Sequence, residues 1–128
     1  MKTRKLALFG ACLLSLFVTV AIARAAWAHS FPEEQNPGAG QTLAAAPSAV
    51  SIKYDAPIEH LFAKLQVVDR LGNDLATGQP EVSSDGRILS VKVKPLKPGD
   101  YTVKWAVVCI DTHHTQGSYT FSVSGAHS

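Results

Sequence analysis

The chain predicts an all-β fold: an immunoglobulin-like Greek-key sandwich or barrel of about seven strands, preceded by a cleavable signal peptide. Three observations carry this. Short segments of alternating apolar and polar residues recur along the chain, separated by Gly, Pro, Asn and Asp turn chemistry. No window outside the N-terminal apolar run holds a convincing helical period, and Ala44-Ala45-Ala46 is stopped by Pro47. Beyond that run only Cys109 remains of the two cysteines, so no disulfide can join the sheets and two packed apolar faces must.

Residues 1–28 read as an export signal. Lys2, Arg4 and Lys5 form its positive start, Leu6 to Ile22 is almost unbroken apolar sequence, and Ala26-Trp27-Ala28 is an A-x-A processing site ahead of His29. A retained anchor is the rival reading, since the run is close to the shortest that spans a bilayer; Arg24 and the small-residue site favour cleavage. Residues 29–124 then form one domain, because roughly one hundred residues suffice for a single core, and 125–128 form a tail. Ser30 to Gln41, with two prolines and two glycines, reads as irregular or as an edge strand. Strands follow at Val50–Tyr54, Lys64–Val68, Ile88–Val93, Tyr101–Val108 and Ser118–Val123. Asp55-Ala56-Pro57, Leu71-Gly72-Asn73-Asp74, Ser84-Asp85-Gly86 and Lys97-Pro98-Gly99-Asp100 supply turns between them. Tyr101, Trp105, Tyr119 and Phe121 are the expected large members of the core.

Processing changes the electrostatics. Four of the twelve basic residues and none of the ten acidic ones lie in residues 1–28, so cleavage turns a net charge of +2 into −2. The basic character belongs to the precursor and gives no support for nucleic-acid binding.

Cleavage before His29 would free an α-amine that, with the imidazole of the same residue, closes a six-membered chelate ring on a metal. The amine has a reference pKa near ~8, so a metal can displace its proton at neutral pH. Asp111-Thr112-His113 offers a carboxylate and a second imidazole at i, i+2. If that stretch is extended, both side chains point to one face and converge on one ion. Three nitrogens and one carboxylate oxygen suit Cu(II) in a tetragonal plane. Taken singly, a D-x-H pair or a histidine at a cleavage site is commonly chance; the two in one chain together make the metal signal.

In this order the residues resemble the CopC family of periplasmic copper-binding proteins of copper resistance and homeostasis. The likeness spans essentially the whole processed chain. It runs from His29 through Asn36-Pro37-Gly38-Ala39-Gly40-Gln41-Thr42-Leu43, Ala46-Pro47-Ser48-Ala49-Val50 and Tyr54-Asp55-Ala56-Pro57-Ile58-Glu59, to LKPGDYTVKWAVVCIDTHHTQGSYTFSV, from Leu96 to Val123. That last stretch is similar to the family's Gly-x-Tyr-x-Val-x-Trp strand, its D-x-H ligand pair and its G-x-(aromatic)-x-Phe strand. The resemblance implies an immunoglobulin-like sandwich or barrel and Cu(II) held by the His29 amine and imidazole, Asp111 and His113. It implies a periplasmic, non-enzymatic protein that sequesters or delivers copper. Its partners would be an inner-membrane copper transporter of the CopD type or another periplasmic copper protein.

Several positions depart from the family pattern. His114 stands where members often have proline, and on an extended strand it would point away from His113. Ala56 occupies the place of a glutamate found in some members, with Asp55 beside it, which weakens the case for a fifth ligand. Residues 29–128 contain no methionine, so no thioether Cu(I) site is expected. Cys109 shares parity with the ligand pair and reads as a buried thiol beneath the site; His60 and His127 read as solvated. Two rival functions remain. A histidine-brace copper monooxygenase also begins with histidine, but keeps open the equatorial position that Asp111 would fill. A metal-free immunoglobulin-like interaction module leaves both His29 and the D-x-H pair unexplained.

Overall fold

The computed structural model describes residues 30–125, and the export signal, His29 and the tail residue His127 lie outside them. The described chain contains eight strands and no helix: β1 (Pro32–Asn36), β2 (Thr42–Leu43), β3 (Ala49–Tyr54), β4 (Lys64–Val68), β5 (Ala76–Val82), β6 (Ile88–Val93), β7 (Gly99–Val108) and β8 (His114–Val123). They form two four-stranded sheets, ordered β1-β3-β6-β5 and β2-β8-β7-β4. All pairings are antiparallel except β2 against β8, which is parallel. The chain crosses between sheets after β1, β2, β3, β4 and β6, which makes an immunoglobulin-like Greek-key sandwich.

Alternation decides which residues face inward. In β3, Val50, Ile52 and Tyr54 are buried while Ala49, Ser51 and Lys53 are not. Leu65 and Val67, Leu89 and Val91, Tyr101, Val103, Trp105 and Val107, and Tyr119, Phe121 and Val123 complete the core from the other strands. The four aromatics expected there are all buried. Tyr54 joins them, fully buried and meeting Trp105 edge-on at 5.7 Å. The Tyr101 hydroxyl donates to Lys97 O at 2.5 Å, the corner bond by which an immunoglobulin-like tyrosine ties its strand to the preceding turn.

The strands that the alternation pattern does not signal are the edge ones. β1 pairs only with β3 and β5 only with β6, each with a register irregularity. Neither needs an apolar face, and β5 contains Gly78 and Pro80, which edges tolerate and interiors do not.

Candidate metal centre

One end of the sandwich gathers the start of β1, the β3–β4 connection and the β7–β8 turn. The turn is tighter than an extended strand. Cys109 N donates to His113 O at 2.8 Å and Thr112 N to Cys109 O at 2.9 Å, closing residues 109–113 into a loop. Thr112 at its corner has φ of 76°, a left-handed conformation rare for a β-branched residue. The expectation of an extended D-x-H stretch is therefore corrected, and the turn brings the pair together instead. His113 Nδ1 lies 3.1 Å from Asp111 Oδ2, and His113 N donates to Asp111 Oδ1 at 3.3 Å.

Both side chains are accessible, Asp111 at 36% and His113 at 57%. Two neighbouring donors in a tetragonal plane, with bonds of about 2.0–2.2 Å, stand about 2.8–3.1 Å apart. The Nδ1–Oδ2 separation falls at the upper end of that range, so the pair fits adjacent corners of such a plane. The same distance also suits an imidazole–carboxylate hydrogen bond with no metal present. Among the described residues, no three His, Cys, Asp or Glu side chains gather to hold an ion.

Ser30, the residue joined to His29, arrives at this same end. It is fully buried, and its amide N donates to Cys109 Sγ at 2.9 Å. Its hydroxyl donates to Pro57 O at 3.2 Å, and Thr115 Oγ1 donates to its carbonyl at 3.0 Å. Phe31 follows, with its N donating to Asp55 Oδ1 at 2.8 Å and its O accepting from Asp55 N at 3.0 Å. Asp55 is thus engaged in holding the incoming chain. The Ser30 and Thr115 contacts carry no sequence signal, because neither residue sits in a motif.

The remaining sequence-marked residues separate from the pair. His114 opens β8 opposite Val108, exposed, and lines an outer groove with Leu61 and Phe62. His60 is exposed in the β3–β4 connection. Cys109 is buried and free of any disulfide, bridging Ile58 across the gap between β7 and the β3–β4 connection.

A family model for the CopC domain matches residues 32–124. The chain belongs to the CopC family. YobA from Escherichia coli K12 is 30% identical over 112 residues, covering 86% of this chain and 90% of YobA. The copper transport protein CutJ from Bacillus subtilis is 29% identical over 116 residues, 89% of this chain but only 21% of CutJ. Among solved structures, CopC from Methylosinus trichosporium OB3b superposes with a TM-score of 0.73 at 26% identity, covering 78% of this chain and 98% of that one. The CopC-family sandwich therefore accounts for the architecture described above.

Proposed function

We propose that this protein is an exported, periplasmic Cu(II) carrier that gains its metal site on removal of residues 1–28. The His29 amine and imidazole, Asp111 and His113 supply the four equatorial donors. The observation that carries this reading is the Asp111–His113 pair at 3.1 Å, at the sandwich end where Ser30 is anchored. His29 is bonded directly to Ser30, and consecutive Cα atoms stand only about 3.8 Å apart, which supports assigning its donors to that end. Nitrogen donors and a hard carboxylate favour the oxidised ion. Family membership and the copper transport named for CutJ support copper as the cargo.

With four protein donors in the plane, no equatorial position remains for oxygen or substrate, so the chemistry is coordination without turnover. Delivery goes to a membrane copper transporter of the CopD type or another periplasmic copper protein. The match to one fifth of a longer copper transport protein supports a role beside transport machinery.

The test is a competition titration of Cu(II) against two forms, one beginning at His29 and one retaining Ala28. The retained residue converts the amine into an amide, and the expected loss of affinity is on the order of a hundredfold or more, two decades corresponding to about 2.7 kcal/mol. Equal affinity of the two forms would sink the N-terminal chelate. His113→Ala should remove a nitrogen coupling from the copper spin-resonance spectrum, while His127→Ala leaves it unchanged.

A further inference from the structure

Ser30 is the one buried polar residue among the described side chains. A polar group taken out of water must find partners, and an apolar residue would fill the same space without that demand. The Ser30 hydroxyl finds Pro57 O in the β3–β4 connection, while the backbone amide and carbonyl of the same residue are held by Cys109 Sγ beyond β7 and Thr115 Oγ1 on β8. Its amide, carbonyl and hydroxyl are all engaged. This arrangement fixes the position and direction of the chain immediately after His29.

Cys109 and Thr115 flank the D-T-H turn, and each ties the turn to Ser30. Cys109 meets Ser30 on one side and the turn on the other. Its side chain accepts from Ser30 N, while its backbone accepts from Thr112 N and donates to His113 O. Thr115 lies two residues past His113 and holds the Ser30 carbonyl, which also belongs to the described chain directly after the chelating residue. The two halves of the proposed site are separated by some eighty positions, |i−j| being 79 for the thiol contact and 85 for the hydroxyl contact. These two contacts join Ser30 to both flanks of the D-T-H turn.

We propose that Cys109 and Thr115 are positioning residues, which clamp Ser30 and so pre-set the His29 chelate against Asp111 and His113. This rests on the reading of His29 as a ligand. The thiol acts as a hydrogen-bond acceptor, a weak one that also fills apolar space. Its partner Thr115 is only half-buried, so its replacement is tolerated by the core. Without the clamp the chain end keeps its donors and loses their placement, and Cu(II) must then order that end on binding.

A thermodynamic cycle separates this role from a general structural one. Cu(II) affinity is measured for wild type, Thr115→Val, Thr115→Ser and Cys109→Ser, each with His29 at the terminus and each with Ala28 retained; thermal melts confirm that every variant folds. Thr115→Val should weaken binding roughly three- to tenfold in the processed form, the loss of one hydrogen bond. It should have no effect in the blocked form, where the chelate is absent. Thr115→Ser keeps the hydroxyl and should restore affinity; Cys109→Ser keeps an acceptor at a shorter reach and should show a smaller loss of the same pattern. An equal loss in both forms, or none in either, overturns the clamp. A thiolate-to-copper charge-transfer band that disappears in Cys109→Ser would make Cys109 a ligand and also overturn it. Equal binding by the two wild-type forms convicts the His29 reading itself, and the two failures are thereby distinguished.

Discussion

Tyr54 and Tyr119 place their hydroxyl oxygens in the interior with no hydrogen-bond partner. Burial pushes the Tyr119 phenol up to about 12, and burial together with the neighbouring Tyr119 pushes Tyr54 higher still. The folded state therefore prefers the neutral phenol in both. Below pH ~10 both states are protonated and stability is unaffected. As pH rises from about 10 towards 12, the unfolded chain sheds protons that the folded one keeps, so stability falls across that window. Tyr54→Phe and Tyr119→Phe each remove an unpartnered buried oxygen and should raise stability by about 1 kcal/mol at neutral pH. Each should also flatten the alkaline decline. Urea unfolding followed from pH 7 to 11.5 checks both effects, and a clear loss of stability at pH 7 in either variant would show that its hydroxyl is bonded.

At the scale of elements, the strands that bury one whole face were legible because that face had to be apolar. Val50, Ile52 and Tyr54 alternate with exposed or half-exposed neighbours, and the β3, β4, β6, β7 and β8 readings follow from the same rule. Of the edge strands, β4 kept its alternation and β1 fell within the stretch read as irregular or edge-like, whereas Ala76–Val82 buries too little to leave a pattern and was not legible. The D-T-H pair was legible as chemistry and not as geometry. Thr112 carries no turn signal, so the left-handed corner that draws Asp111 onto His113 has no trace in the sequence. Gly117 is the opposite case, a residue whose type is explained only by its partner. It stands opposite Trp105 in the β7–β8 ladder, and a Cβ there would meet the indole Cζ2 at 2.7 Å. Gly117→Ala must push Trp105 off its position against Tyr54, at an expected cost of about 1–3 kcal/mol. A shifted near-ultraviolet circular dichroism spectrum with a lowered urea midpoint is the expected result. An unchanged midpoint would mean that the indole moves aside freely.

Across the whole molecule, the proposed ion would join parts that the fold otherwise holds only by packing and hydrogen bonds. Ser30 leads into β1 of one sheet, whereas Asp111 and His113 lie in the turn between β7 and β8 of the other. The proposed Cu(II) bridge from His29 to that turn would therefore be a cross-link between sheets in a chain whose described cysteine forms no disulfide. Copper that binds the folded state alone stabilises it by mass action, about 2.7 kcal/mol at a free concentration one hundred times Kd. For a domain near one hundred residues this raises Tm by roughly 10–20 °C. The gain should require His29 at the terminus, because the Ala28-retaining form lacks the bond that spans the sheets and keeps only the Asp111–His113 pair within one turn. Calorimetric melts of the two forms under the same buffered Cu(II) decide the point. If the blocked form gains as much as the processed one, the ion is held within the turn alone and the sheets are not bridged.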